Sequence, residues 1–176
     1  MIKYQTFSNQ QNELQKPCVA TIGKFDGVHA GHRKLLNLVI DNVKKNGLVS
    51  TVITFDPHPK DYFEGDFQYL QTLDEKIKDI LSLGINQVVV LEFNEYLENL
   101  SAANFFEQII IEELNVQSLL VGEDFAFGKN RNCDIECLTE LCKSKNIELK
   151  VITKLKEKGE VVSSSRIRES RGKRCN

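Results

Sequence analysis

Residues 18–36 read CVATIGKFDGVHAGHRKLL. Two imidazoles, His29 and His32, stand three positions apart just after an apolar run that ends at Gly23. That separation brings two side chains to one face of a first helical turn. A helix start adds free N–H groups and the positive end of the helix dipole, so the set suits an anion, and phosphate above all. Donors fixed around a phosphate stabilise charge that grows in a transition state. Gly23 and Gly27 permit tight turns and close backbone approach, and Gly31 leaves space beside the imidazole face. The plainer alternative is a Gly-rich turn followed by two surface histidines, one of them a cap. The stretch matches neither the G-x-G-x-x-G dinucleotide fingerprint nor the G-x-x-x-x-G-K-[ST] phosphate loop. Lys24 either adds charge near the phosphates or points into water.

Three other loops carry chemistry-bearing residues. SSSRIR, at 163–168, offers hydroxyls and N–H groups, with Arg166 or Arg168 as fixed positive charge; an N-cap before a solvated basic helix accounts for it equally well. EDFAFGKNR, at 123–131, holds Asp124, Phe125, Phe127 and Gly128. Phe beside Gly can wall a flat aromatic ligand, or both rings can plug core gaps. FDPHP, at 55–59, is a rigid turn, and Asp56 with Asp26 forms a metal pair only if the fold brings them together. Tyr62, Phe63, Phe67 and Tyr69 either line a pocket or close over the sheet.

Positioning these loops requires alternating elements. Residues 19–23 form a short β-type run. Residues 29–46 carry Leu35, Leu36, Val39, Ile40 and Val43 at helical spacing, with Gly47 as C-cap. LVSTVITF (48–55), VVVLEF (88–93), SLLVG (118–122) and IELKVITKL (147–155) read as further strands. Helices are expected over 73–83, ended by Gly84, and over 102–114, capped by Ser101, with Phe105, Phe106, Ile109 and Ile110 as the apolar face. Another is expected over about 134–146, capped by Asp134, while residues 61–72 read as an irregular loop. This alternation predicts an α/β fold, a doubly wound, Rossmann-like parallel sheet of about five strands covered on both faces. Ligands of such sheets bind beyond the carboxyl ends of the strands, where all four loops fall. A length of 176 residues fits one domain, 1–176, with a core over about 17–169.

Charge and cysteine content narrow the class. The chain carries 23 Lys and Arg against 25 Asp and Glu, a net charge of −2. That balance argues against nucleic acid, although Arg166, Arg168, Arg171, Lys173 and Arg174 crowd the end. Five cysteines without C-x-x-C spacing argue against a zinc site and read as reduced thiols of a cytoplasmic protein. No segment reads as a signal peptide or a membrane span.

Taken in order, GKFDGVHAGH, TFDPHP, VGEDFAFGKNR and SSSRIRE resemble the N-terminal nucleotidyltransferase domain of the bacterial bifunctional riboflavin kinase/FMN adenylyltransferases, over about residues 18–169. H-x-G-H alone marks a broad superfamily; FDGVH, TFDPHP and GEDFxFG in one chain are far more specific. The resemblance implies a nucleotidyltransferase-type fold and transfer of AMP from ATP to FMN. FMN's phosphate attacks the α-phosphorus, and FAD and pyrophosphate leave, with Mg²⁺ and no covalent enzyme intermediate. It implies that His29, His32, Ser164, Ser165 and Arg168 form the catalytic set on the phosphates. Gly23, Phe25, Asp26 and Gly31 then shape the ATP pocket, and Asp56, Pro57, His58, Pro59, Asp124, Phe125 and Phe127 line the flavin side. Mg²⁺ is then held by phosphates and water rather than protein ligands, and flavin is substrate and product rather than a retained cofactor. Ser165 stands where the family commonly has Thr, which keeps a hydroxyl, and Cys133 stands where Gly is usual. No riboflavin kinase domain is expected among these residues. Two alternatives stay open: an H-x-G-H nucleotidyltransferase with another acceptor, such as nicotinamide mononucleotide, and an inactive ATP- or flavin-binding module.

Overall fold

The computed structural model describes residues 1–9, 13–154 and Ile167, with residues 156–157 and 160–161 as a short antiparallel pair. Its sheet is built from β1 (Tyr4–Ser8), β2 (Cys18–Ile22), β3 (Val49–Asp56), β4 (Gln87–Glu92), β5 (Val116–Gly122) and β6 (Glu148–Ile152). The strand order is β1-β4-β3-β2-β5-β6. Every neighbouring pair is parallel except β1 with β4. β2 is buried along its whole length, as befits a central strand covered on both faces.

Alternation along the strands supplies two cores. Val19, Val52, Val88 and Val90 face α1 (Ala30–Asn46) and α3 (Leu73–Ser82), where Leu35, Leu36, Val39, Ile77 and Ile80 meet them. Ala20, Ile22, Ile53, Val89 and Leu91 face the opposite layer, with Phe105, Phe106, Ile109, Ile110 and Leu138. That layer holds α5 (Ala102–Phe105), which runs on as a π-helix (Phe106–Glu113), and α6 (Ile135–Ser144). From β2 the chain winds out to β3 and β4, then returns across the sheet to β5 and β6. The order therefore reverses between β2 and β5, the switch point at which such folds bind ligands.

The doubly wound α/β class stands as expected, and four details differ. β1 adds a sixth strand: five residues with no flanking turn signal give little periodicity, and pairing with β4 decides their structure. α2 (Pro59–Glu64) fills a segment read as turn and irregular loop, with Pro59 in the first turn, where a missing N–H does no harm, and α4 (Glu95–Asn99) one to which no element was assigned. The helix over 102–114 is capped by Ser101 but widens, Leu114 N–H bonding the Ile109 carbonyl. Its four predicted apolar residues are all buried regardless. Finally, Cys133 and Cys137 are joined by a disulfide, correcting the expectation of free thiols at those two positions; Cys18 and Cys142 are free and buried.

Candidate functional site

His29 is the N-cap of α1, in extended conformation. Its Nδ1 accepts hydrogen bonds from the backbone N–H of Gly31 at 3.1 Å and of His32 at 3.4 Å. His32, in the first turn, returns the bond: its Nδ1 accepts the His29 N–H at 3.4 Å. This reciprocal arrangement is a capping box built from two imidazoles. The rings stack, centroids 3.7 Å apart and 19° from parallel, so the shared face is real. Two N–H groups of the helix start, expected to be free for an anion, are thus already taken by His29. Donor capacity moves outward instead. A neutral ring whose Nδ1 accepts carries its proton on Nε2, which leaves His29 a fixed N–H donor.

Both rings are held neutral. Burial lowers the His29 pKa from 6.5. Burial first, and then the neighbouring His29, push His32 down to about 3, with a bond to the Gly27 backbone opposing the shift. The Phe25 ring lies 5.0 Å from that of His32.

The turn between β2 and α1 is itself pinned. Phe25 is buried at a φ of 50°, a left-handed conformation that costs a non-glycine residue about 1–2 kcal/mol. Asp26 is 3% exposed, and its carboxylate accepts the Leu70 N–H at 3.1 Å. Val28 N–H donates to the Gln71 side chain at 3.1 Å. The segment before α3, read as irregular, therefore lies over the Phe25–Val28 turn. Gly27 has a φ of +64°, and a Cβ there would come within 2.7 Å of Leu70 Cδ1 and 2.9 Å of its Cβ. Gly27→Ala is expected to cost roughly 2–4 kcal/mol, from left-handed strain plus displaced Leu70. A lower urea midpoint at unchanged slope would register it; an unchanged midpoint would show that the contact with Leu70 yields freely.

Lys76 escaped the sequence reading. It lies on α3 among Leu73, Ile77 and Ile80, so the clue was a lysine inside an apolar stripe. It is 7% exposed, and its ammonium donates to the Lys24 carbonyl at 3.1 Å, Thr54 Oγ1 at 3.2 Å and the Phe55 carbonyl at 3.5 Å. Burial lowers its pKa, opposed by the charges of Asp26 and Asp56. Asp26 and Asp56 do reach a common neighbourhood, and what they share there is this ammonium.

At the end of β3, Asp56 is exposed and its carbonyl accepts the Phe93 N–H. Pro57 and Pro59 are half-buried. His58 is 6% exposed, caps α2 by accepting the Lys60 N–H, and stacks on Phe67 at 3.9 Å. Tyr69 accepts the His58 N–H and donates to Asp61, so Phe67 and Tyr69 tie the following segment down. Tyr62 and Phe63 are exposed beside Phe93.

Beyond β5, Asp124 is exposed and pairs with Lys154 at 3.1 Å. Phe125 and Phe127 stack at 5.5 Å, and Phe127 reaches Phe105 of the core, so this ring plugs as well as lines. Gly128, at φ +79°, packs on the Ala102 backbone so closely that a Cβ would fall 2.8 Å from Ala102 N. Phe127 and Cys133 exchange backbone hydrogen bonds, and the disulfide ties that bridge to the first turn of α6. Gly23 donates its N–H to the Ile53 carbonyl, and Gly31 sits in the first turn of α1. The adjacency of β3, β2 and β5 thus brings three of the four predicted loops to one edge. Ser164, Ser165 and Arg168 of the fourth lie outside the described residues. Among the described residues, no group of three or more His, Cys, Asp or Glu is placed to hold a metal ion, and no helix is long and apolar enough to cross a membrane.

The fold is a Rossmann-like α/β domain with the imidazole-bearing turn at its switch point. A family model described as FAD synthetase matches residues 11–166. The chain belongs to the FAD synthetase family. It is 37% identical over 160 residues to the bifunctional riboflavin kinase/FMN adenylyltransferase of Buchnera aphidicola subsp. Schizaphis graminum, covering 89% of this chain and 51% of that protein. It is 33% identical over 164 residues to the protein of the same name from Escherichia coli (strain K12), covering 92% and 52%. A putative bifunctional riboflavin kinase/FMN adenylyltransferase of Geobacillus thermodenitrificans is 34% identical over 152 residues, covering 86% and 80%. The chain thus spans about half the length of the first two. A crystal structure titled as a macrolide-efflux protein from Streptococcus pneumoniae aligns with a TM-score of 0.77 at 24% identity, over 90% of this chain and 52% of that one, a likeness of fold alone.

Proposed function

We propose that this chain transfers the adenylyl group of ATP to FMN, giving FAD and pyrophosphate. A phosphate oxygen of FMN attacks the α-phosphorus, the bond from that phosphorus to the bridging oxygen breaks, and pyrophosphate carries the electron pair away. Such a displacement needs positioning and charge stabilisation more than a protein nucleophile. The observation that carries the reading is the imidazole pair at the switch point, with His29 fixed by its cap as an Nε2–H donor and His32 stacked against it. His29 and His32 are assigned to the ATP phosphates. Phe25, Asp26, Gly23 and Gly31 shape the nucleotide side, Asp26 by bracing the turn through Leu70. Ser164, Ser165 and Arg168 are assigned to the same phosphates.

Asp56, Pro57, His58, Pro59, Asp124, Phe125 and Phe127 are assigned to the flavin side, His58 as the residue that orders α2. Mg²⁺ would be held by the nucleotide's phosphate oxygens and water rather than by protein ligands, and would supply charge neutralisation there. The reaction is assigned to the cytoplasm, although the Cys133–Cys137 link is of a kind more common in oxidising compartments.

The test offers the protein MgATP with FMN, riboflavin or nicotinamide mononucleotide and identifies products by mass. FAD and pyrophosphate are expected from FMN, with riboflavin and nicotinamide mononucleotide unchanged. Adenylylation of another acceptor in preference, or binding of both substrates without pyrophosphate release, would overturn the reading.

A further inference from the structure

We propose that Lys76 is a positioning residue for adenylyl transfer, its buried ammonium clamping the Lys24 carbonyl so that the Phe25 turn sets the imidazole pair. The inference rests on the adenylyl-transfer reading of the same site. Its geometry runs through one peptide. The Lys24 carbonyl belongs to the peptide bond that enters Phe25, the left-handed residue of the turn. That oxygen accepts two hydrogen bonds, from Lys76 Nζ at 3.1 Å and from Thr54 Oγ1 at 3.0 Å. Thr54 in turn accepts from Lys76 at 3.2 Å, so hydroxyl, carbonyl and ammonium close a triangle. From Phe25 the chain of contact continues to the His32 ring at 5.0 Å and from it to His29 at 3.7 Å.

A buried lysine is poor value as a stabilising device. Removing a charge of this size from water is expensive, and the nearby charges of Asp26 and Asp56 offset only part of that cost. The α3 stripe would accept Met or Leu at this position, among Leu73, Ile77 and Ile80. Lysine places three donors where two strand-end carbonyls and a hydroxyl converge at the carboxyl edge. It also adds positive charge facing His32, which opposes protonation of that ring. Both effects bear on the imidazole pair.

The experiment compares the wild-type protein with Lys76→Met, Lys76→Arg, Thr54→Val and the Lys76→Met/Thr54→Val double variant. Steady-state FAD formation and thermal melting are measured for each. Lys76→Met is expected to lower kcat about 10- to 100-fold, the range that a small misplacement of catalytic groups produces. KM for FMN stays within about threefold, and the melting temperature falls, since Asp26 and the Phe55 carbonyl lose the ammonium, but remains above the assay temperature. Thr54→Val falls less, and the double variant no further than Lys76→Met alone, because both act on one carbonyl. Lys76→Arg, which keeps charge and donors, recovers most of the loss. Wild-type kcat in Lys76→Met overturns the proposal, as does a loss that follows the folded fraction at the assay temperature or that Lys76→Arg shows in full. Should wild type make no FAD, the adenylyl-transfer reading fails instead, and the imidazole NMR signals of His29 and His32 decide for Lys76. Displaced signals in Lys76→Met support the clamp; unmoved ones overturn it.

Discussion

His29→Asp is expected to leave the protein folded and to lower kcat for FAD formation by about 10³-fold or more. The two halves of this result come from the two ring nitrogens. Nδ1 is a cap, accepting the Gly31 and His32 N–H groups. Aspartate is among the best N-cap residues, and its charge is favoured by the dipole at a helix start, so α1 loses nothing and the melting temperature holds or rises. The Nε2–H donor, however, disappears, and a carboxylate takes its place against a triphosphate. Loss of a single donor to a developing oxyanion is worth about 10²- to 10³-fold, and the added repulsion deepens it. His29→Ala separates the terms: it loses donor and cap together, with about 1 kcal/mol of stability going with the cap. Steady-state turnover and thermal melting on the two variants check both halves. If His29→Asp turned over as wild type does, His29 would be a cap and nothing more.

The same duality explains what the sequence could reveal. Spacing placed His29 and His32 at a helix start, and they are there, but spacing carries no information on which nitrogen is engaged. Seeing that His29 uses its own Nδ1 to satisfy the helix start required the backbone geometry of residues 29–32. Strands with continuous burial were readable because apolar runs bounded by Gly and Pro have few other solutions; β1 was not, since YQTFS becomes a strand only by pairing with β4. Long-range contacts account for the remaining surprises. The bond from the Leu70 N–H to Asp26, 44 residues away, was not legible in the sequence. Nor was the stacking of His58 on Phe67, which buries that ring. Lys76 was missed, although an ionisable residue inside the apolar stripe of α3 is a signal of partners at the sheet edge. Cys133 and Cys137 show the limit of spacing rules: a four-residue separation names no metal motif, yet a turn folded back on Phe127 brings the sulfurs together.

His32→Gln is expected to flatten the pH dependence of stability between about pH 6.5 and pH 4. In the folded protein, burial and the neighbouring His29 hold His32 at about 3, against an ordinary value of 6.5. The unfolded chain therefore binds more protons than the folded one between those values, and stability rises with pH across the window. The full contribution is present above pH 6.5 and is lost progressively as pH falls toward 3. A depression of this size corresponds to about 5 kcal/mol for His32. His29, also lowered, adds in the same direction, and two rings stacked this closely titrate as a pair. Protonation also destroys the structure locally, because a protonated Nδ1 cannot accept the N–H groups of the capping box. Glutamine at His32 occupies a position where the capping box favours it, so the bond from the His29 N–H survives at neutral pH without an ionisable ring. Urea unfolding at pH 7.5, 6, 5 and 4 should show wild type losing stability from about pH 6.5 downward. His32→Gln, matched at pH 7.5, should retain most of its stability until carboxylates begin to titrate. Parallel curves for the two proteins would mean that His32 keeps its ordinary pKa in the folded state, and its neutrality could no longer be credited to burial beside Phe25 and His29.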